Sequence, residues 1–399
     1  MNMKPATILH TFFQLSNFKI INDKRRQNTL LDCVNALDNR RKLTLTALGR
    51  GIKTTKAKTK HSIKRVCRFL GNSHIHQERS RIYGFISDFL LKNVQYPLIV
   101  IDWSPVKETK THMLRASLPV GGRSFTLYEE VYPESQLASA SAHKAFLKRL
   151  SIFIPDECQP ILFTDSGFKV PWIKLVEAQG WYWLSRVRGN TYLNIHGNWQ
   201  NCQELFETAT NQPVHFGDTL LTTAHHHPCQ AVLYKKQRKG RKKTGVLGQE
   251  TRSSQCKKYA KSEREPWLLT TNLPTEQWNA QRIVDIYSKR MQIEESFRDT
   301  KNSRLGLSLS ETQSQCSKRL EILLLIGMLA QFAYILIGKA AYIKGHFRQF
   351  QANTIVTRRV LSYFYLGREI AADDSLHYTP HDLCLALSGL KAQGDGDFI

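Results

Sequence analysis

Residues 97–102 read PLIVID and residues 160–165 read PILFTD, and these two stretches decide the fold class. Each is a short apolar run, the pattern of a strand that is buried on both faces. Each ends in an aspartate, Asp102 in the first run and Asp165 in the second. A single aspartate in such a place often only caps the next turn. Two of them favour a site built from paired carboxylates, because strand ends in open α/β sheets border ligand crevices.

The segments around these runs predict a mixed α/β arrangement in the order β, β, β, α, β, α, β. Further strands are expected at 111–120, 124–132 and 181–187, and helices at 138–150 and 171–179. The pair Gly121-Gly122 supplies the turn between the second and third strands. A strand at 267–273 and one long helix at 278–301 follow later in the chain.

Residues 189–265 break this alternation. They contain short β-like runs, three consecutive histidines at 225–227 and a basic tract at 235–243, so we predict a β-rich insertion with an exposed cationic loop. The histidines are more typical of a solvated loop than of a metal site. For the basic tract we favour contact with a DNA backbone over a loop without a specific role.

The charge distribution is the first indication of function. The chain has 57 Lys and Arg against 33 Asp and Glu, a net charge of +24. Such an excess usually serves a polyanion, and nucleic acid is the favoured partner. An anionic membrane surface, or a basic protein without a charged partner, are the alternatives. Up to Leu90 the count is 18 basic against 5 acidic residues, so more than half of the net charge lies in under a quarter of the chain.

This basic region is predicted to be helical, with breaks at Gly49 and Gly51. The stretch 56–68 interleaves cations with apolar residues and predicts a helix with one apolar stripe and one cationic face. A solvated face is the plain alternative. We favour a helix that lies against DNA phosphates, and its expected contacts are Lys60, Lys64 and Arg65.

One apolar segment, residues 322–338, raises the possibility of a membrane span. It has 17 residues and includes Gln331, whereas a spanning helix needs ~20 apolar residues. We therefore predict a buried helix and no membrane partner. The chain has no secretory signal and no CxxC pair, which indicates a cytoplasmic protein with reduced thiols.

The helix predicted at 278–301 offers a third carboxylate, Glu294. At about 100° per residue, Tyr287, Arg290, Glu294, Arg298 and Lys301 fall within an arc of roughly 80°. A surface helix stabilised by ion pairs between Glu294 and the arginines four residues away is the alternative. The neighbouring Glu295 points elsewhere and is the weaker candidate.

Three such carboxylates would suit phosphoryl transfer. Their hard oxygens would hold two Mg²⁺ ions about 4 Å apart, with Mn²⁺ as a substitute. One ion would activate the attacking water or 3′-hydroxyl, and the other would stabilise the leaving oxygen. Cations beside Glu294 would hold the DNA backbone. We therefore predict Asp102, Asp165 and Glu294 as catalytic residues and metal ligands.

Five motifs extend this pattern along the chain. They are VIDWS around Asp102, TDSGFKVPW around Asp165, WYWLSRVRG ending at Gly189, EPWLLTTNLP around Trp267 and IYSKRMQIEESFRD around Glu294. With these motifs the chain resembles the DDE transposases of bacterial insertion sequences. It is most similar to their hairpin-forming cut-and-paste branch, which includes the transposase of the tetracycline-resistance composite transposon. The resemblance covers essentially the whole chain, and Tyr287, Arg290, Glu294 and Lys301 match the Y-(2)-R-(3)-E-(6)-K signature of the branch.

The resemblance implies an RNase H-like catalytic core interrupted by the β-rich insertion. The implied division is a basic helical DNA-binding domain at 1–95, the core at 96–304 with the insertion at 189–265, and a helical C-terminal region at 305–399 that makes protein–protein contacts.

Several side chains take DNA-binding roles from the resemblance. Tyr287, Arg290 and Lys301 would contact the backbone of the transposon end, and Arg186 would also face DNA. Arg298 is predicted to bind DNA from its own position, as one of the cations on the helix face of Glu294. Trp267 would stack on a base flipped out during hairpin formation, with a core tryptophan as the alternative. Met291 stands where some relatives carry an aromatic residue that wedges into the duplex.

The implied activity is cut-and-paste transposition by strand nicking, hairpin formation, hairpin opening and strand transfer. The expected partners are the terminal inverted repeats, the target DNA and a second copy of the chain in the synaptic complex, in the bacterial nucleoid. A DNA-binding protein that no longer catalyses, and an RNase H-like nuclease without joining activity, are the rival interpretations. A tyrosine or serine recombinase is disfavoured because no credible nucleophile motif lies among the basic residues.

Overall fold

The computed structural model describes residues 4–16, 21–53, 57–106, 109–236, 265–304, 306–373 and 375–394. The chain forms two compact units. Of the described residues, unit 1 contains those within 4–160 and 291–394, and unit 2 contains those within 161–290.

Unit 1 begins with helices, as predicted. They are α1 (Pro5–Leu15), α2 (Lys24–Arg40), α3 (Leu45–Gly51), α4 (Thr59–Leu70) and α5 (Ser73–Leu91). The expected break at Gly49 is wrong, because this glycine lies inside α3, whereas the break expected at Gly51 is confirmed, because α3 ends at that residue. A Cβ atom on Gly49 would lie 2.6 Å from Ile63 Cα of α4, so this glycine permits close helix packing.

An antiparallel meander follows, made of β1 (Leu98–Val106), β2 (Thr111–Val120) and β3 (Arg123–Pro133). The turn between β2 and β3 has Gly121 at φ +54° and Gly122 at φ +91°, so both residues adopt the positive φ that hairpin turns favour. Helix α6 (Ala140–Leu150) is capped by the Ser139 hydroxyl, which accepts from the Ala142 N–H. These elements confirm the predicted strands and helix.

Unit 2 is built on a mixed sheet. Its elements in chain order are β4 (Ile161–Thr164), α7 (Val170–Glu177), β5 (Tyr182–Val187), β6 (Tyr192–Ile195), β7 (Asn198–Asn201), α8 (Cys202–Glu207), β8 (Val214–Leu221), β9 (His227–Tyr234), β10 (Trp267–Thr271) and α9 (Ala280–Ser288). Strand β4 pairs in parallel with β5, and α7 connects them. The order continues antiparallel as β5, β10, β9, β8, β6, β7. The described part of the predicted insertion is therefore β-rich.

The basic tract and the three histidines of the insertion were both expected to lie in exposed loops. Of the basic tract at 235–243, only Lys235 and Lys236 belong to the described residues. The expectation of a solvated histidine loop is wrong for His227. This residue begins β9, is buried, and places its Nε2 3.1 Å from Glu177 Oε1.

The rest of unit 1 is helical: α10 (Met291–Lys301), α11 (Ser317–Ile343), α12 (Tyr363–Ala372) and α13 (Pro380–Gly394). The single helix predicted over 278–301 is wrong, since α9 and α10 are separate. The backbone N–H groups of Lys289 and Arg290 donate to Ile286 and Tyr287, so α9 ends in a tight i→i+3 turn. No proline or glycine occupies this stretch, so composition does not announce the break.

Helix α11 forms the core of unit 1 and packs against α1, α2, α12, α13 and β3. Among the described helices it is the one long and apolar enough to cross a membrane, yet 94% of its most apolar window is buried inside the protein. This confirms the predicted buried helix. It crosses α12 closely, because a Cβ on Gly338 would lie 1.9 Å from the Tyr363 carbonyl oxygen.

Candidate functional site

Asp102 lies in the middle of β1, half-buried and opposite Arg115 of β2. The prediction that Asp102 ends its strand is wrong. The antiparallel pairing with β2 continues to Val106, which keeps the backbone extended beyond the aspartate. The Asp102 Oδ1 accepts the Trp103 backbone N–H at 2.8 Å. The carboxylate is thus held on a rigid strand rather than in a loop.

Lys301 reaches this strand from the last turn of α10. Its Nζ donates to Ser104 Oγ at 2.7 Å. Ser104 is two residues from Asp102, so the two side chains point to the same face of β1. Burial lowers the pKa of Lys301 below its ordinary value and the Arg115 guanidinium lowers it further, while the Asp102 carboxylate opposes both. The structure therefore brings Lys301 within electrostatic range of Asp102.

Glu294 lies in the first turn of α10, where the helix dipole favours a carboxylate. It is half-buried. At about 100° per residue, Glu294 and Lys301 are only ~20° apart on the helix, so they share a face. The neighbouring exposed Arg298 donates to Glu295 Oε2 at 2.8 Å. Arg298 thus forms its ion pair with Glu295. A pair between Arg298 and Glu294 is the alternative that the sequence spacing offers.

Trp103 anchors the segment that carries Asp102. Its indole Nε1 donates to His143 Nε2 of α6 at 3.1 Å, and its ring lies edge-on to Tyr132. Burial lowers the pKa of His143 to about 4, so the imidazole is neutral near neutral pH and can accept this hydrogen bond. Sequence reasoning missed His143, since a lone histidine in an amphipathic helix carries no local signal.

Asp165 follows β4 directly, as predicted, and belongs to unit 2. Its Oδ1 accepts the Gly167 backbone N–H at 2.8 Å. A Cβ on Gly167 would lie 3.0 Å from that oxygen, so the glycine leaves room for the carboxylate. The aspartate is positioned by its own turn.

Unit 2 also contains four of the predicted DNA contacts, Arg186, Trp267, Tyr287 and Arg290. Tyr287 is buried and its ring lies edge-on to the half-buried Trp267, with centroids 5.2 Å apart. Arg186 faces Leu269 across β5 and β10, which puts it on the same face of the sheet as Trp267. Burial lowers the pKa of Arg186. The Tyr287 hydroxyl opposes this shift and the Arg290 guanidinium adds to it, so both groups interact electrostatically with Arg186.

Glu265 covers the cations of this cluster, and sequence reasoning missed it. Arg186 Nη2 lies 3.2 Å from Glu265 Oε2, and Arg188 pairs with the same oxygen. The Nε atom of the Arg186 guanidinium is buried and has no hydrogen-bond partner within the described part of the chain. Arg186 is also one of the residues that line a cavity of about 250 Å³, together with Lys169, Arg188 and the apolar side chains of Phe168 and Leu221, among others. Three of the residues that line this cavity are therefore cations, Lys169, Arg186 and Arg188, of which the two arginines pair with Glu265.

The cationic face of α4 is as predicted. Lys60, Lys64 and Arg65 are exposed, while Val66 and Phe69 on the opposite side are buried. Arg65 pairs with Asp32 of α2. The face is therefore a solvated, strongly basic surface of unit 1.

The carboxylates predicted as metal ligands are divided between the units, with Asp102 and Glu294 in unit 1 and Asp165 in unit 2. Among the residues that the structure describes, no group of three or more His, Cys, Asp or Glu side chains is arranged to hold a metal ion. The donor chemistry of Asp102, Asp165 and Glu294 nevertheless fits a hard divalent cation, because carboxylate oxygens are the ligands that Mg²⁺ prefers.

Met291, at the start of α10, is 51% exposed.

The family model for the transposase DDE domain matches residues 94–330. The search of curated proteins gave no significant match. The matched segment is more than half of the chain and contains Asp102, Asp165 and Glu294. The chain belongs to the DDE transposase family.

Proposed function

We propose that this protein is the cut-and-paste transposase of an insertion sequence, with Asp102, Asp165 and Glu294 acting together on DNA phosphodiesters. The observation that carries the proposal is the Lys301–Ser104 hydrogen bond. It joins the helix face that bears Glu294 to the strand face that bears Asp102 within unit 1. The family match supports transposition as the activity.

The three carboxylates would hold two Mg²⁺ ions, with Mn²⁺ as a substitute. When bound, these ions would lower the pKa of the attacking water or hydroxyl and neutralise charge on the leaving oxygen. The chain's own contribution is to fix the carboxylates on β1, after β4 and on α10. Lys301, whose pKa is lowered mainly by burial, would hold a DNA phosphate beside Asp102.

The reaction we propose has four steps. Water attacks a phosphodiester at the transposon end, which breaks the P–O3′ bond and frees a 3′-hydroxyl. That hydroxyl attacks the opposite strand, so the flanking DNA leaves and the end closes into a hairpin. Water then reopens the hairpin, and the same 3′-hydroxyl attacks the target DNA. Membership of the hairpin branch, including the likeness to the tetracycline-resistance transposon, is part of this proposal and is supported by the Tyr287, Arg290, Glu294 and Lys301 signature.

The DNA path we propose has two parts. Tyr287, Arg290 and Arg186 of unit 2, with Trp267 as the stacking platform for a flipped base, would bind the transposon end near the cleavage point. Arg298 and Lys301 of unit 1 would bind the backbone there. The α4 face, with Lys60, Lys64 and Arg65, would bind the inverted repeat further away.

The domain division stays a proposal as well. Residues 1–95 would bind DNA, 96–304 would form the RNase H-like core with its insertion at 189–265, and 305–399 would contact a second copy of the chain. Synapsis of two transposon ends requires two active sites, so we propose a homodimer on DNA. The protein would act in the cytoplasm, on the nucleoid.

Excision from a linear DNA that carries transposon ends tests the proposal. Wild-type protein with Mg²⁺ should release the end and form a hairpin, which runs on a denaturing gel as a strand of about twice the length. Asp165→Asn and Glu294→Gln should bind the end but not nick it. Glu295→Gln is the matched control, since its side chain is on the same helix but pairs with Arg298.

The rival functions give different results in this assay. A catalytically inactive DNA-binding protein would bind the end without nicking it under any metal. A nuclease would cut the end but would not join the freed 3′-hydroxyl to plasmid DNA. Trp267→Ala should lower hairpin formation while nicking persists. Normal excision by Asp165→Asn or Glu294→Gln would show that the site is assigned wrongly.

A further inference from the structure

Unit 1 contains a fully buried ion pair beside the candidate site. Arg115 of β2 and Glu129 of β3 each have 1% of the side chain exposed. Arg115 Nη2 lies 2.7 Å from Glu129 Oε2, and Arg115 Nε donates to the same oxygen at 2.8 Å. Burying two charges is costly, and replacing such a pair with apolar side chains is often neutral or stabilising. Stability alone therefore does not account for its presence.

The rest of the Arg115 guanidinium contacts α10, the helix that carries Glu294. Its Nη1 donates to Ser296 Oγ at 3.3 Å and to Thr300 Oγ1 at 3.4 Å. The guanidinium carbon lies 4.7 Å from the centre of the Phe297 ring. One side chain of the sheet thus contacts α10 over more than one helical turn.

The position of Arg115 relates these contacts to the site. Arg115 is directly opposite Asp102 in the β1–β2 register, and opposed residues of an antiparallel pair point to the same face of the sheet. Ser104 and Lys301 meet on that face too. On α10, the hydroxyl-bearing Ser296 and Thr300 lie roughly 160° and 120° around the helix from Glu294, and Phe297 lies roughly 60° from it. A shift of α10 along this seam would therefore move Glu294 relative to Asp102.

The chemistry of the Arg115–Glu129 ion pair suits a fixed position of helix α10 on the sheet. Apolar contacts between a helix and a sheet are non-directional and tolerate small slides. A guanidinium presents its donors in a rigid planar fork, and Glu129 fixes the orientation of that fork. The two hydroxyls of α10 then define where the helix lies along the strand.

We propose that Arg115 is a positioning residue, which with Glu129 sets the placement of α10 and so the alignment of Glu294 and Lys301 with Asp102. This inference rests on the proposed function, because the alignment matters only if Asp102 and Glu294 act on the same phosphate. Arg115 itself contacts neither substrate nor metal in this account.

The test compares two ion-pair replacements in full-length protein. The first is Arg115→Met with Glu129→Met. The matched control is Arg26→Met with Glu78→Met, which removes an Arg–Glu pair between α2 and α5 in the same unit, with side chains 20% and 8% exposed. For each protein we would measure the thermal midpoint, end binding, single-turnover nicking, and the Mg²⁺ concentration that gives half-maximal nicking.

The Arg115/Glu129 double variant should fold and bind the end within about twofold of wild type. Its nicking rate should fall by ~10–100-fold, as for other residues that orient metal ligands, and its half-maximal Mg²⁺ concentration should rise. The control pair should leave both quantities unchanged. A nicking rate within about twofold of wild type, or an equal loss in the control pair, would overturn the positioning role.

Two milder variants keep the test decisive if the double variant does not fold. Arg115→Lys retains a cation for Glu129 but lacks the fork, and Ser296→Ala removes one hydroxyl from α10 while the ion pair stays intact. Both should raise the half-maximal Mg²⁺ concentration, and normal values in both would overturn the proposal. If wild-type protein shows no Mg²⁺-dependent nicking, the proposed function fails first, and that result is distinct from a wild-type enzyme that tolerates the variants.

Discussion

The two units hold their parts of the candidate site in different ways. In unit 1, Lys301 bonds to Ser104 across 197 residues of sequence, and Arg115 bonds to Thr300 across 185. In unit 2, Asp165 is held by the N–H group of a residue two positions later. The unit 1 site is therefore a product of the packed sheet and helices, whereas Asp165 is positioned by a local turn.

This difference separates stability from activity. A change that loosens the buried network of unit 1 should lower both, since the contacts that orient α10 are also core contacts. A change in the turn after β4 should lower activity with little effect on stability.

The largest effect should come from the two aspartates. Asp102→Asn and Asp165→Asn should each lower nicking by about 10³-fold or more, because each removes several kcal/mol of charge stabilisation in the transition state. Single-turnover nicking of a labelled transposon end measures this. Asp218→Asn, at a carboxylate of β8 that pairs with Gln230, is the control. A loss confined to one aspartate would show that the units do not serve one site.

The second effect concerns the stability of unit 1. Arg115→Met alone leaves the Glu129 carboxylate buried without its partner and should lower the free energy of unfolding by about 3–5 kcal/mol. Arg65→Met removes an exposed pair with Asp32, with side chains 42% and 41% exposed, and should cost at most about 1 kcal/mol. Denaturant titration measures both. Equal costs would remove the distinction between the buried network and the surface.

The third effect is a pH dependence of unit 1. The pKa of His143 falls from its ordinary 6.5 to about 4 in the folded protein. Above pH 6.5 the imidazole is neutral in both the folded and the unfolded protein, so folding stability does not depend on its protonation. As the pH falls from 6.5 towards 4, the unfolded chain takes up the proton while the folded protein does not, so the free energy of unfolding decreases. From pH 7 to pH 4.5, wild type should lose about 2–3 kcal/mol more stability than His143→Gln, whose amide cannot take up the proton. Identical pH dependence in the two proteins would contradict the buried neutral imidazole.

The fourth effect tests the local turn of unit 2. In Gly167→Ala the new Cβ would lie 3.0 Å from Asp165 Oδ1, so the carboxylate must move by a few tenths of an ångström. Nicking should fall about tenfold through misalignment, while the free energy of unfolding changes by less than about 1 kcal/mol. A large loss of stability, or an unchanged rate, would show that the turn does not set the position of Asp165.

The smallest effect concerns DNA binding by α4. Lys60→Ala and Lys64→Ala should each reduce the slope of log binding constant against log salt concentration by about 0.9, with no change in stability. Lys42→Ala is the control, because Lys42 is exposed but pairs with Glu311. Fluorescence anisotropy with the end DNA measures the slope. Unchanged slopes for both α4 variants would leave the basic face without a role in binding.

Much of the fold follows from sequence because its signals are local. Apolar runs gave the strands β1 and β4, paired glycines gave the β2–β3 turn, and the cation spacing gave the two faces of α4. The length and composition of 322–338 were enough to predict the buried helix α11. Each of these features depends on residues within one element.

The errors and omissions involve residues that are distant in sequence. Asp102 lies inside its strand because β2 continues to pair beyond it, which no pattern in β1 announces. Helices α9 and α10 are separate although no glycine or proline divides them. The roles of Arg115, His143 and Glu265 depend on partners between 14 and 185 residues away. Tertiary packing decides such pairs, and local propensity carries no record of them.

Replacing Asp102, Asp165 and Glu294 one at a time with cysteine, and comparing nicking in Mg²⁺ and Mn²⁺, tests whether these side chains bind the metal ions directly. A thiolate is a soft ligand that serves Mg²⁺ poorly and Mn²⁺ better. We expect each variant to be inactive with Mg²⁺ and partly restored by Mn²⁺, as direct metal ligands require. A Mg²⁺ to Mn²⁺ activity ratio equal to that of wild type in any of the three would contradict the claim that this side chain holds the metal.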